Sequence, residues 1–426
     1  MRVEYKIVLT VNSAMAVKSM NSSVLNFINI PRCLPFLCQT LPLEVIGKVI
    51  LAFGENKYLG WFCALSGCTE ELLSFLRKPI RENNVVVLPD FFLDRLVNLE
   101  LDVGDFSAKV SSIVQRKGGS IDGIPQTDFR GGNAINVAAA LAALGEKVTP
   151  IVCTSRMGLE QIRFHLRKYH LDMSHVKTRP KASVTTALEF QADDKKVNVM
   201  LRDLGSLAEF GPVDLDDGDF KAIEAADYVC LFNWAGTRKF GTELARKVFT
   251  RAKTRCKGKT YFDTADPTPN TEKIPELMEK VLKTTQVDIL SLNENEAVTF
   301  AALLDYEIDL KKKRMRFDAL ALEAARVLAK QLPARIDLHT TVFSATVTKK
   351  SEVVVPSFNV KTLRATGAGD AWDAGNIVGD RNALSDECRL TLANAVSGCY
   401  LSDPEGTHPN RQKLAKFLRK TAHCFR

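Results

Sequence analysis

Arg364-Ala365-Thr366-Gly367-Ala368-Gly369-Asp370 runs without a break into Ala371-Trp372-Asp373-Ala374-Gly375. Small residues let backbone N–H groups approach an anion closely, and the helix that follows brings its positive dipole end to the same point. The carboxylate of Asp370 closes the turn, placed to take a proton from an attacking hydroxyl. An anion cradle joined to a base points to phosphoryl transfer to an alcohol. The plainer alternative is an ordinary strand-to-helix connection.

Upstream of this turn the pattern is that of an α/β domain. Val85-Val86-Val87-Leu88 is a wholly apolar run of the kind that forms a buried parallel strand. Val184 to Phe190 and Lys196 to Leu204 flank the polar Asp193-Asp194-Lys195 and read as an antiparallel hairpin. Strand candidates at 228–232, 260–263, 287–292 and 336–339 then alternate with helical segments near 240–254, 273–283, 294–304 and 317–331. Such alternation predicts a mostly parallel sheet whose ligands bind beyond the carboxyl ends of the strands. Hairpins near the front of the domain are expected to form a small β lid over that edge, with strands around 98–130 and 184–205. Residues 1–84 show no comparable period and are expected to be an added extension, leaving 85–426 as the main domain.

A second glycine-rich segment, Arg130-Gly131-Gly132-Asn133-Ala134-Ile135-Asn136, opens an apolar helix that stops at Gly145. Tight packing explains Ala138 to Ala143. It does not explain Asn133 and Asn136 in the first turn, whose amides suit gripping substrate hydroxyls beside glycines that admit a ligand closely.

The two glycine segments, in this order and at this separation, resemble the paired signatures of the ribokinase-like (PfkB) carbohydrate kinases. Met157-Gly158 and Leu171-Asp172-Met173-Ser174-His175-Val176 resemble the family's intervening sequence, and the likeness covers roughly residues 85–420. It implies a three-layer sandwich with a mostly parallel central sheet and a β lid. The implied activity is an ATP- and Mg²⁺-dependent phosphotransferase acting on a sugar, sugar phosphate or nucleoside. Asp370 takes the role of catalytic base, with Gly367, Ala368 and Gly369 presenting N–H groups to the transferred phosphoryl. Asp94, ending a segment like the family's first strand, takes the role of sugar-hydroxyl ligand, although Pro89 stands where glycine is usual; a helix or turn cap is its other reading. Gly131, Gly132 and Asn136 resemble the substrate-binding residues, with Asn133 beside them, and Asn233 follows a strand that reaches the same pocket.

Asn293-Glu294-Asn295-Glu296 resembles the family's Asn-x-x-Glu motif, which would place Asn293 and Glu296 around Mg²⁺. The same spacing is that of a helix capping box. Thr366, Gly367, Gly369 and Asn394 match positions near the nucleotide. Thr340 and Thr341 stand near the usual nucleotide loop, but the following Val342-Phe343-Ser344-Ala345 lacks its glycine. The family's leading Asp-Thr is Arg364-Ala365 here. The acidic group helps hold a monovalent cation in many members, so a fixed charge at Arg364 would make activity indifferent to K⁺; the alternative is that Arg364 points to solvent. ADP-dependent sugar kinases and a sugar- or nucleotide-binding regulator with weak turnover are the competing functions.

Composition narrows the setting. The chain has 426 residues and a formal net charge of +8, with 46% hydrophobic residues, enough for a sizeable core. Its ten cysteines lack framework spacing and fit reduced thiols in a cytoplasmic protein. Cys33 with Cys38, and Cys63 with Cys68, sit among apolar residues and read as buried thiols rather than a zinc site. The N-terminal residues lack the succession of a signal peptide, and the apolar stretch from Val45 to Leu65 is broken by charged residues. The basic run Lys311-Lys312-Lys313-Arg314-Met315-Arg316 has no interleaved aromatics and reads as a solvated loop. Neither nucleic acid nor membrane is expected as a partner. A homodimer through the lid is expected by family analogy alone.

Overall fold

The computed structural model describes residues 68–79, 84–169, 171–192, 195–255, 258–363 and 366–421. Expectations that fall on Cys33, Cys38, Cys63 and the rest of the extension before residue 68, and those on Arg364 and Ala365, lie outside the described residues.

The apolar run after Asn84 forms β1 (Asn84–Leu88), followed by β2 (Phe92–Asn98), a helix at Val103–Gln115 and β3 (Gln126–Gly131). The buried helix Asn133–Ala143 leads into β4 (Lys147–Pro150). Two short strands, β5 (Cys153–Thr154) and β6 (Lys177–Thr178), flank the helix Arg156–Leu166. β7 (Ser183–Ala192) and β8 (Lys195–Asp203) pair antiparallel, as the sequence predicts. β9 (Tyr228–Leu231), β10 (Lys259–Asp263), β11 (Ile289–Asn293) and β12 (Arg335–His339) then alternate with helices that include Gly241–Arg255, Glu294–Ala302 and Phe317–Gln331. β13 (Phe343–Val347) and β14 (Glu352–Pro356) fold back antiparallel. The helices Ala368–Arg381, Asp386–Leu401 and Arg411–Thr421 follow.

Eight strands make the central sheet, in the order β14-β13-β12-β11-β10-β9-β1-β4, parallel from β12 to β4. The period of two along each strand divides the core between the two faces. Val86, Leu88, Val229, Leu231 and Phe262 pack on one side with the Gly241–Arg255 and Phe317–Gln331 helices. Val85, Val87, Tyr228, Cys230 and Tyr261 pack on the other with the Asn133–Ala143, Ala368–Arg381 and Asp386–Leu401 helices. The result is the expected three-layer sandwich. A separate four-stranded sheet, β3-β2-β7-β8, forms the lid.

Two boundaries differ from those expected. Strands do not fill 98–130: a helix occupies Val103–Gln115, started by the Asp102 carboxylate accepting from the Asp105 N–H at 2.9 Å. Phe106 fastens this helix to the lid through an edge-to-face contact with Phe190, ring centroids 5.6 Å apart. The compact unit also begins earlier than residue 85. Helical residues 68–77 bury Leu72, Phe75 and Leu76 in the same core as Leu414 and Leu418. The Arg411 guanidinium donates to the Phe75 carbonyl at 2.6 Å and lies 4.7 Å over the Phe75 ring, satisfying the helix end.

Candidate active site

The turn before Asp370 opens the Ala368–Arg381 helix. Gly367 is its N-cap, with φ 85°, and no side chain caps the N–H groups that follow. A Cβ at Gly367 would be strained by that φ and would lie 2.8 Å from the Tyr400 hydroxyl, so the position demands glycine. Tyr400 donates to the Thr366 carbonyl at 2.9 Å and Ser397 to the Ala368 carbonyl at 3.0 Å, which hold the turn from behind. Asp370, in the first helical turn, is buried. Its two oxygens accept hydrogen bonds of 2.8 Å each from the side-chain amides of Asn133 and Asn136. The sequence-predicted base and the two asparagines of the other glycine segment therefore meet directly. Burial pushes the Asp370 carboxyl up to about 8; the Asn136 hydrogen bond opposes this, and the charges of Asp263 and Asp90 add to it.

The second helix N-terminus is used differently. Gly132 has φ 90°, and a Cβ there would lie 2.7 Å from the Phe91 backbone. The N–H groups of Asn133 and Ala134 donate to the carboxylate of Asp90 at 3.0 and 2.8 Å, and the Asn233 amide donates to it at 2.7 Å. This helix end is already filled by an internal anion, which leaves the uncapped end at Gly367 for an external one. Asn233 thus reaches the expected pocket as a support for Asp90. Asp94 lies in β2 against the start of the glycine segment: a Cβ on Gly131 would fall 2.0 Å from its Oδ2, so glycine is required for that approach. Burial raises the Asp94 carboxyl to about 6, against the Thr185 hydrogen bond and the Arg202 charge.

Beside the Asp370 turn lies a cleft of ≈ 250 Å³ lined by residues that include His339, Thr341, Ser357, Trp372 and Ser397. Gly369 and Asn394 also line it. Asn394 does so as part of the wall: its oxygen accepts from Ser344 (2.6 Å) and Trp372 (2.9 Å), and its amide donates to the Pro356 carbonyl at 3.1 Å. Thr340 turns its hydroxyl onto its own loop, accepting from Val342 and Phe343 N–H groups at 3.1 and 2.9 Å. These bonds make a local side-chain turn that needs no glycine.

Asn293 and Glu296 form a reciprocal capping box. The Glu296 N–H donates to the Asn293 oxygen at 3.0 Å, and the Asn293 N–H donates back to the Glu296 carboxylate at 2.9 Å. The Asn293 amide adds a third bond of 2.7 Å. The capping reading of this motif therefore describes the geometry, and it fixes both side chains at the carboxyl end of β11. Burial pushes Glu296 well above the usual carboxylate range, and the charge of Asp263 pushes the same way.

Asp90, Asp263, His339 and Asp373 were not singled out from the sequence. Asp90 follows β1, Asp263 ends β10 and His339 ends β12, so each stands at the strand edge where ligands are expected. Asp373 is one helical turn beyond Asp370. Polar residues at strand carboxyl ends were the available signal. Among the described residues, no helix is long and apolar enough to cross a membrane.

Comparison with known proteins agrees with this geometry. The family model described as pfkB family carbohydrate kinase matches residues 101–413. No curated protein matches the chain. Among solved structures, the adenosine kinase from Sinorhizobium meliloti aligns at TM-score 0.58 and 19% identity, covering 80% of this chain and 99% of its own. Arabidopsis thaliana ribokinase, complexed with ribose and ATP, aligns at TM-score 0.59 and 17% identity over 80% of this chain and 99% of its own. A putative ribokinase II from E. coli, in complex with ATP and Mg²⁺, aligns at TM-score 0.57 and 13% identity over 80% of this chain and 100% of its own. At these identities the likeness is one of fold.

Proposed function

Because the chain belongs to the pfkB family of carbohydrate kinases, we propose that it moves a phosphoryl group from ATP to a hydroxyl of a sugar, sugar phosphate or nucleoside, with Asp370 as the base. The observation that carries this reading is the Asp370 carboxylate, held at both oxygens by Asn133 and Asn136 at the mouth of an uncapped helix. Two of its lone pairs are occupied by the asparagines, and others remain for an incoming hydroxyl. Fixing the carboxylate in this way removes a rotational freedom that would otherwise be lost during reaction. The N–H groups of Ala368 and Gly369 face the charge that develops on the phosphoryl group, which is the larger part of catalysis in such transfers. Asp94 and the glycine segment hold the acceptor, and the cleft beside His339 and Thr341 takes the nucleotide; relatives of this fold are complexed with ATP.

The residues at the β11 edge fit Mg²⁺. Glu296 is a buried carboxylate whose hydrogen bonds, among the described residues, come from Asn293 alone, and the carboxylates of Asp263, Asp266 and Glu294 all disfavour its charge. A cation arriving with the phosphates relieves that repulsion. Mg²⁺, when bound, supplies charge neutralisation to the phosphates, and Asn293 and Glu296 are the residues that would orient its waters.

Catalysis needs Asp370 ionised, so kcat/KM is expected to rise with pH along a limb centred near 8 in the free enzyme. The deciding experiment is a transfer assay with ATP and with ADP against pentoses, hexoses, sugar phosphates and nucleosides, with and without K⁺. Transfer to at least one acceptor supports the reading; none across the panel, with substrate binding retained, would make the protein a binder. Strong stimulation by K⁺ would remove the role assigned to Arg364. A lid-mediated homodimer is supported by Val197, Val199, Met200 and Leu201 on the outer strand β8, each about half exposed. A cytoplasmic setting is supported by five buried cysteines among the described residues, all of them free thiols.

A further inference from the structure

We propose that Asp263, His339 and Asp373 form a second cation site, which takes a divalent first-row transition ion directly and without nucleotide. The three residues come from the end of β10, the end of β12 and the Ala368–Arg381 helix, and one ligand atom from each lies within 4.8 Å of the other two. That spread matches donors arranged around a single ion.

The hydrogen-bond inventory points the same way. Asp373 is fully buried, and its Oδ1 accepts from the Tyr261 hydroxyl at 2.6 Å and the Ser291 hydroxyl at 2.7 Å. Its Oδ2 receives no N–H or hydroxyl hydrogen bond among the described residues and faces the Asp263 carboxyl, with which it can share only a proton, and the Nε2 of His339 has no partner among them. Asp263 is held by the Ala265 N–H at 2.7 Å. The groups acting on the Asp373 carboxyl are Asp263, Tyr261 and Ser291, none of them cationic. Two buried carboxylates facing each other without a donor need a proton or a cation between them. A shared proton would satisfy the carboxylates and leave the imidazole nitrogen bare. One metal ion satisfies all three.

The imidazole is already positioned for the task. Its ring packs against Trp372 at a tilt of 34° with centroids 5.0 Å apart, and Trp372 is anchored by Ser344 and Asn394 at 2.9 Å each. On its other side it packs beneath the phosphoryl turn, where a Cβ on Gly369 would lie 3.2 Å from its Cε1. A neutral imidazole offers a lone pair at one ring nitrogen, and the Nε2 of His339 is the atom that faces the two carboxylates without a partner among the described residues. Tyr261 and Ser291 orient the carboxylate as outer partners orient metal ligands. An imidazole donor selects Zn²⁺ or Co²⁺ over Mg²⁺, which prefers oxygen and its own waters. His339 also lines the cleft, which gives the ion a route in. The Asn293–Glu296 position needs phosphates to bring its cation; this one does not.

The test uses the full-length protein, stripped with a chelator and titrated with Co²⁺ and Zn²⁺ in the absence of nucleotide. One equivalent per chain is expected, with a visible Co²⁺ absorption band that Zn²⁺ displaces. His339→Gln and Asp373→Asn should each weaken binding by about 10- to 100-fold. Asp128→Asn, an exposed carboxylate on the lid, should change nothing. Thermal melts of the variants show whether they are folded, and His339→Gln keeps the ring's bulk and polarity in part if Asp373→Asn is unstable. Failure of the stripped protein to bind either ion, or unchanged binding in folded His339→Gln, overturns the site. Because no nucleotide or acceptor enters the experiment, this outcome is independent of the kinase assay.

Discussion

The two ends of the Ala368–Arg381 helix bury charge in opposite ways. Near its C-terminus, Asn376 and Asp380 join a network with Asp337, Arg335 and Arg389. Arg389 and Asp337 are 1% and 0% exposed and meet at 3.0 Å, and Arg335 reaches Asp337 at 2.8 Å. Burial works against the charge of Asp337, but the two guanidinium groups outweigh it and hold the carboxyl below its usual range. At the N-terminus, Asp370 and Asp373 face Asp263, and Asp90 acts on Asp370 as well; burial holds all four above it, and repulsion between carboxylates adds to this at Asp263, Asp370 and Asp373. Matched charge stabilises the fold. Unmatched charge, at the same depth, is held at the expense of stability, which is the pattern of functional sites in general.

Asp370→Asn gives the sharpest test of this contrast. Turnover should fall by about 10³- to 10⁴-fold if the carboxylate is the base. Stability should move the other way. Between its unfolded value of 3.8 and its folded value of about 8, the native state keeps a proton that the unfolded chain releases, so stability falls as pH rises across that window. The asparagine removes this loss. Its melting temperature should equal wild type near pH 4 and exceed it increasingly toward pH 8; a variant less stable at pH 8 would break the comparison.

At the other end, Arg389→Met leaves Asp337 short of a partner and should cost about 3–5 kcal/mol in denaturant unfolding. The folded fraction should keep its kcat/KM, since this network touches no proposed substrate group; loss of specific activity without loss of stability would argue against a purely structural role. The mildest change is Asn136→Ala. It removes a hydrogen bond that lowers the Asp370 pKa, so the pH–rate limb should move up by about one unit and turnover at pH 7 should fall roughly tenfold. A limb that stays in place would mean that Asn136 positions substrate rather than the base.

Local chemistry explains which parts of this site were legible in the sequence. Gly367, Gly132 and Gly131 each answer a constraint set within a few residues or by one close neighbour, and such constraints leave a compact trace in sequence. The alternation of strands and helices was equally plain, because burial on both faces of a parallel sheet removes polar residues from its strands. Asp90, Asp263, His339 and Asp373 carry no such trace. Their roles depend on which strand ends lie side by side, and that is decided by a sheet order that departs from chain order. The Asn293–Glu296 spacing was ambiguous because a capping box and a cation-orienting pair use the same two residue types at the same separation. The helix at Val103–Gln115 was missed although Asp102 caps it and Val103, Phe106, Val110 and Ile113 share one face, because that stripe is short and its residues are almost all exposed.

The bonds from Asn133 and Asn136 to Asp370 span 237 and 234 residues of chain. Contacts so distant in sequence close late, since a long loop must be ordered before they repay its entropy. A nascent chain that has emerged through His339 already contains every parallel strand of the central sheet, yet it lacks Asp370, the proposed base. Premature termination or C-terminal trimming before residue 370 would therefore remove three of the helices that pack on one face of the sheet and bare Val85, Val87, Cys230 and Tyr261. The last stretch of synthesis thus closes the core and, in the same step, brings Asp370 to the two asparagines.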